Sequence, residues 1–441
     1  MPASIRLYGL PVGILDVARD GDLSFRYEPG WLESTQLPHH PLSLALPLSP
    51  NTYNHDRAGP FFDGLLPDSR QTREALARYL QVDAIDDYAL LYQLGRDCPG
   101  AVTVMPLDDE VIADENVETK WDVLEDDRLA EYIEALPRRP LFIDADGELR
   151  LSLAGVHHKA GVGVVDRRIA LPRGRTPSTH ILKVDIDGLP DSIRVEHFCL
   201  RVAAAVGIPV PFSTIRVVKD TPYMVIRRYD RVGVNGQEVF RRLHQEDFCQ
   251  ALGRFPRQKY EKDGGPGWQE CFELMKKVTD VVTARTQLLD RAIFQFLVGN
   301  TDAHAKNYSL LYRLDRIELS QLYDVNNAAA LRSFYKEQRP RLAMFVGGNR
   351  DPLTLTPENW EAFAKDTDFR PRFVLRQLLD MAERMIPAAE KVLAEVKGTD
   401  ADSKLLALAV DDIVQRCTAV RACAPTRPGA TRHRARSTPV R

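Results

Sequence analysis

Over residues 1 to 107, short apolar runs alternate with turns rich in proline and glycine. Ile5-Arg6-Leu7-Tyr8 and Leu23-Ser24-Phe25-Arg26-Tyr27 read as strands, and Arg73 to Leu80 as a helix. From Asp108 to Asp127 the chain is acidic and poor in core residues, interrupted by Trp121, Val123 and Leu124, which predicts a surface connection between domains. Strand-like runs return from Leu141 to Tyr229, with Ile181-Leu182-Lys183-Val184 and Tyr223-Met224-Val225-Ile226 the clearest. One helix interrupts them: Val195, Phe198, Cys199, Val202 and Val206 share a face, and Gly207 with Pro209 stops it. After Leu243 the pattern turns helical. Phe272, Met275, Val278 and Val282 mark one helix; Leu289, Ala292, Ile293, Phe296 and Leu297 mark the next, ended by Gly299. The expected layout is therefore residues 1–107 as a β-rich domain, 108–127 as a connection, 128–242 as a β-rich lobe, 243–414 as a helical lobe and 415–441 as a tail. A ligand cleft between the two lobes fits that layout.

Composition narrows the class. With 441 residues, 44% hydrophobic and 27% charged, the chain is long enough to bury a core without covalent staples. Its six cysteines are scattered and form no C-x-x-C pair, which argues against a disulfide scaffold or structural zinc and fits a reducing cytoplasm. No apolar stretch reaches the length of a membrane span, and the start has no secretory pattern. Residues 416–441 hold seven arginines and no acid, so within a net charge of -3 the first 415 residues carry -10. Such a body is no generic nucleic-acid binder; DNA contact would fall to a local patch, the tail or a partner.

The segment Gly299-Asn300-Thr301-Asp302-Ala303-His304-Ala305-Lys306-Asn307 carries the most chemistry. It follows a buried helix and precedes a hairpin, Tyr308–Arg313 with Ile317–Leu322, after which comes Tyr323-Asp324. An Asp, an Asn five residues later and a second Asp beyond a hairpin form the acidic cluster of a protein-kinase-like site. In such a site the first Asp orients the substrate hydroxyl, and the Asn and second Asp hold Mg²⁺ through oxygen. Taken alone, Asp302 and Asn307 also read as turn caps, and Asp302-x-His304 as part of a metal-dependent hydrolase. Elsewhere, Lys183 stands inside an apolar strand, a costly place for a charge without an anionic partner. Glu196 on the following helix is the candidate partner, in the manner of a kinase strand-lysine and helix-glutamate pair. Ala154-Gly155-Val156-His157-His158-Lys159 offers small residues, backbone N–H groups and a cation, as a phosphate loop would, although with a single glycine it reads equally as a strand turn.

These parts, taken in order, resemble the HipA family of bacterial serine/threonine kinase toxins. The resemblance runs from about Leu7 to about Gly348. It is carried by Pro41 to Leu48, Phe61 to Ser69, Gly95 to Ala101, Ser178 to Lys183, Gln245 to Gln250, Tyr260 to Gly267, Gly299 to Asn307 and Tyr323-Asp324. It implies an α+β, two-lobed protein-kinase-like fold with an additional N-terminal β-rich domain, and ATP with Mg²⁺ as cofactors. Asp302 then corresponds to the catalytic residue, Asn307 and Asp324 to the metal ligands, and Lys183 to the ATP lysine. Ala154, Gly155, Val156, His157, His158 and Lys159 correspond to the phosphate loop, Arg227, Arg228 and Tyr229 to the adenine hinge. His304, Ala305, Lys306, Asn307, Tyr323 and Asp324 complete the nucleotide site, and Ser152 corresponds to a self-phosphorylated serine.

The resemblance further implies an aminoacyl-tRNA synthetase, such as the glutamyl enzyme, as the protein substrate, with arrested translation, persistence and cytoplasmic residence. It implies as partner a small helix-turn-helix antitoxin dimer of the HipB kind that binds operator DNA, the complex residing on the nucleoid. The chain departs from the family at His157-His158, where Gln-Glu is usual, and at Arg227, where an acid is common. Those departures keep a second reading open, that of a catalytically weak corepressor module.

Overall fold

The computed structural model describes residues 2–35, 39–83, 86–136, 158–233, 240–332 and 340–423. An N-terminal sheet is built from β1 (Ala3–Leu7), β2 (Leu10–Val17), β3 (Leu23–Tyr27) and β4 (Val102–Pro106) in the order β3-β2-β1-β4, antiparallel throughout. The expected strands at Ile5 and Leu23 are there, although Tyr8 lies past the first, in a turn with positive φ. Helices α1 (Pro29–Leu32), α2 (His55–Asp63), α3 (Arg70–Leu80) and α4 (Asp87–Leu94) complete this part. Ser69 caps α3 by accepting from the Thr72 N–H, which sets the start of the helix read at Arg73. Phe25, Phe61, Phe62 and Leu91 are among its fully buried core residues.

The acidic stretch is a surface connection only in its first half, 108–119, where most described residues are exposed or half-buried. β5 (Lys120–Val123) forms the edge of a six-stranded sheet by pairing with β7, Leu124 is buried beside it, and the Asp114 carboxylate is buried against Arg242. Charge had suggested exposure. In fact each acid that matters has an arginine partner brought in by the fold: Asp109 takes Arg6 and Arg175, and Asp122 takes Arg128 and Arg173. Beyond α5 (Asp126–Ala135) the sheet is completed by β6 (Lys159–Val165), β7 (Arg168–Arg173), β8 (His180–Lys183), β9 (Ser213–Val218) and β10 (Thr221–Arg227), in the order β5-β7-β6-β8-β10-β9. α6 (Ser192–Ala205) crosses it and buries the predicted Val195, Phe198, Cys199 and Val202. The Asp185 carboxylate serves its N-terminus, accepting from the Ser192 Oγ and the Ile193 N–H. β11 (Arg231–Gly233) and β12 (Phe240–Arg242) form a separate antiparallel pair.

The second lobe is not purely helical after Leu243. Gln245-Glu246-Asp247 lies in β13 (His244–Asp247), which pairs with β14 (Ser309–Tyr312); β14 pairs in turn with β15 (Ile317–Leu319), the predicted hairpin. α7 (Phe248–Ala251) follows β13 through a capping box between Asp247 and Gln250. The helix expected from Phe272 to Val282 is two elements. α8 (Trp268–Leu274) ends in a 3₁₀ turn, and α9 (Val281–Leu297) starts afresh with Asp280 capping Thr283, which leaves Val282 exposed. α10 (Pro357–Asp366), α11 (Pro371–Val396) and α12 (Leu405–Ala422) close the lobe. α11 buries Val374, Leu378, Met381, Ala382 and Met385 at helical spacing. α12 continues to Ala422 with Ile413 and Cys417 buried, so the tail boundary expected at 415 falls inside a packed helix. No described helix is long and apolar enough to cross a membrane.

Candidate active site

Alternation along β8 places Leu182 in the sheet core and turns Ile181 and Lys183 toward a cleft of about 360 Å³ between the lobes. The Lys183 Nζ donates to Glu196 Oε1 at 2.6 Å and lies 3.5 Å from Asp324 Oδ1. The pairing expected from sequence is therefore present, with Asp324 as a second anion. Burial alone would lower the Lys183 ammonium, but the two carboxylates outweigh it and hold it above its ordinary value. One ammonium cannot fully serve two carboxylates; burial, with Asp324 adding to it, pushes Glu196 up against the pull of Lys183.

The segment from Gly299 to Asn307 is set by the end of α9. Gly299 has φ +78°, and a Cβ there would meet Asp412 Oδ2 at 2.3 Å, so the turn requires glycine. Asn300, buried, donates to Gln295 Oε1 and accepts from the Asp302 N–H. Asp302 Oδ1 accepts from the Tyr260 hydroxyl at 2.6 Å, and the Asp302 carbonyl accepts from Asn307 Nδ2 at 2.9 Å. With its N–H₂ committed, the Asn307 amide keeps its oxygen for the cleft that it lines with Asp324. Among the described residues no three His, Cys, Asp or Glu side chains cluster as a metal cage. An amide oxygen and a carboxylate beside a phosphate-sized space suit Mg²⁺, which takes oxygen ligands and keeps water and phosphate as the others. Asp324 sits at φ +57°, a backbone state that asparagine and aspartate tolerate better than most residues.

Lys159 enters the cleft directly across the ladder from Lys183. Burial lowers its ammonium to about 8, and the neighbouring Lys183 charge adds to the effect. His158, the adjacent residue, lies 3.7 Å from Asp187. Ser152, Ala154, Gly155, Val156 and His157 fall outside the described residues. At the hinge, Tyr229 stacks on Tyr323 with ring centroids 6.0 Å apart and donates to Gln245 Oε1. Arg227 is exposed on the rim, where a reversed charge meets water rather than the core.

Two expected nucleotide residues have other employment. The Arg228 guanidinium is buried against Asp230, Ser178 and the Cys98 carbonyl, facing the N-terminal domain. Lys306 Nζ is buried 3.0 Å from Asp68 and 3.5 Å from Asp247. Asp68 also takes Lys259 at 3.0 Å; the two lysines overcome the upward push of burial and hold its carboxyl well below the usual range. Sequence reasoning assigned no role to Asp68, Lys259 or Tyr260, and nothing local could have done so, because their partners are distant in the chain. His304 is buried edge-on to Tyr260, and burial lowers its imidazole. Among the described residues no third His, Cys, Asp or Glu joins Asp302 and His304 in a metal-holding group, which does not favour a hydrolase built on them as a metal pair.

Residues 3–105 match the model of the HipA N-terminal domain, and residues 151–393 that of the HipA-like C-terminal domain. The chain belongs to the HipA family. Among its relatives, a Sinorhizobium fredii protein named "Putative kinase Y4mE" is 36% identical over 94% of this chain and 97% of its own length. The serine/threonine-protein kinase toxin HipA of Shewanella oneidensis is 27% identical over 87% and 89%. A solved complex of that organism's HipA with HipB and operator DNA contains a chain that superposes with TM-score 0.80. It is 24% identical, over 96% of this chain and 99% of that one, and so attests the fold. The two-lobed, kinase-like α+β architecture with its extra N-terminal domain is thus the family architecture.

Proposed function

We propose that this HipA-family chain is an ATP-dependent serine/threonine protein kinase acting as the toxin of a toxin–antitoxin pair. The observation that carries the reading is Lys183 held between Glu196 and Asp324, with Asn307 tied to the Asp302 carbonyl in the same cleft. Lys183 binds and orients the phosphates of the nucleotide, and Glu196 keeps its ammonium charged and in place. Asp302, steadied by Tyr260, accepts or orients the hydroxyl of the target serine or threonine. Asn307 and Asp324 would hold Mg²⁺, whose contribution when bound is to neutralise charge on the transferring phosphoryl group. Family likeness extends the proposal to an aminoacyl-tRNA synthetase as substrate, to self-phosphorylation at Ser152, and to a HipB-like antitoxin with operator DNA as partners.

Lys183→Ala, Asp302→Asn and Asp324→Asn are each expected to abolish transfer of labelled γ-phosphate while leaving the circular dichroism of the folded protein. Full ATP-dependent transfer by Asp302→Asn would overturn the assignment. Titration of Mg-ATP by calorimetry separates this reading from a corepressor module without catalysis, which requires no nucleotide binding.

A further inference from the structure

A second cavity, of about 760 Å³ and so larger than the catalytic cleft, lies behind the hinge, with Arg227 to Tyr229 as the wall shared between the two. Arg291 of α9 lines it and is 1% exposed. Its Nη2 donates to the Ser320 carbonyl, while its Nε and Nη1 have no hydrogen-bond partner. Among the described residues no carboxylate pairs with it, and burial draws the guanidinium down to about 10. Buried charges are ordinarily paired; this one commits Nη2 and leaves its other two nitrogens without a partner.

The surrounding charges do not answer it. Glu318 accepts from both Arg313 and Arg316 at 2.5 and 3.1 Å, and Asp280 caps α9 by accepting from the Thr283 N–H. The two acids of the lining are thus engaged, and arginine outnumbers them. One side is apolar, formed by Pro209, Val210 and Phe212, the last 71% exposed although large.

We infer that this cavity is a second ligand site, for a small phosphate-bearing molecule with an apolar portion, its oxyanion received by Arg291. Guanidinium N–H groups match phosphate oxygens in charge and geometry, and the volume fits a molecule of nucleotide size. Occupancy would reach the catalytic cleft by two short routes. Arg291 holds Ser320, four residues before Asp324, and the hinge strand forms the common wall.

Inorganic pyrophosphate is the probe, titrated calorimetrically into the wild type, Lys183→Ala, Arg291→Gln and Arg316→Glu. The expected result is one pyrophosphate site that survives Lys183→Ala, weakens at least tenfold in Arg291→Gln and several-fold in Arg316→Glu, and weakens with added salt. Arg316 is on the rim, so its variant carries the test if Arg291→Gln does not fold. Binding abolished in Lys183→Ala, binding unchanged in the arginine variants, or no wild-type binding at millimolar pyrophosphate would each overturn the site.

Discussion

A lysine inside an apolar strand is informative because the alternatives are few: it must reach water or an anion. Lys183 reaches two: Glu196, which type and position offered as its partner, and Asp324, which the sequence offered only as a metal ligand. Lys159 has a different lesson. It faces Lys183 across the ladder, and like charge plus burial brings its ammonium to about 8. Below that pH the lysine is charged and can bind a phosphate; above it the charge is lost in the free protein. Mg-ATP affinity is therefore expected to fall by up to roughly tenfold between pH 7 and 9, about 1.4 kcal/mol, with proton uptake on binding at the upper end. Calorimetry in buffers of different ionisation enthalpy reads both, and Lys159→Gln should flatten the profile. The roles expected of Arg228 and Lys306 were less legible. Each lies within a stretch expected to bind nucleotide, yet its charge is answered by acids that include one from the N-terminal domain, Asp97 at 3.8 Å for Arg228 and Asp68 for Lys306.

At the level of elements, the motifs that carry the family likeness are largely the two sides of one interface. Ser43 donates to Glu246 at 2.5 Å, and the Gln250 side chain donates to the Phe61 carbonyl. Asp68 meets Lys259 and Lys306, and Asp97 accepts from Ser178 and Arg231. Gly100, at φ +75°, brings its N–H to Asp230, and a Cβ there would come within 2.6 Å of the Gln245 nitrogen. Removing the Asp97 charge leaves three buried arginines with two carboxylates between them, Asp230 for Arg228 and Arg231 and Asp114 for Arg242, so that one buried charge goes uncompensated. Asp97→Asn should therefore cost about 3–5 kcal/mol, read as a shift of the denaturant midpoint. Asp68→Asn is expected to act differently. Loosening Lys306 frees the catalytic segment, so turnover should drop several-fold with little change in the KM for ATP. The strands β5 and β13 escaped sequence reading for the same reason as these contacts. Both are short and polar, and they are held by partners in other parts of the chain rather than by periodicity of their own.

Across the whole molecule, charge is distributed against direct DNA binding. The first 415 residues carry -10, and the five arginines after residue 423 have no acid among them. The isolated chain should therefore bind DNA weakly and with a steep fall as salt rises, and a partner that supplies its own basic surface should tighten the assembly. Where the tail is cut decides what such a test measures. A truncation after Val414 removes Cys417, which is buried, and Arg416, whose Nε is paired with Asp412 at 2.8 Å; Asp412 in turn holds Asn327 behind the catalytic turn. That variant is expected to lose thermal stability, so a weaker gel shift from it would report packing as much as charge. A truncation after Cys423 takes away the five terminal arginines and keeps α12 whole. It should lower solo DNA affinity along with its salt slope, by about 0.9 for each phosphate that the shorter chain no longer neutralises. An unchanged gel shift with the shorter chain would place the DNA-binding surface on the folded body instead.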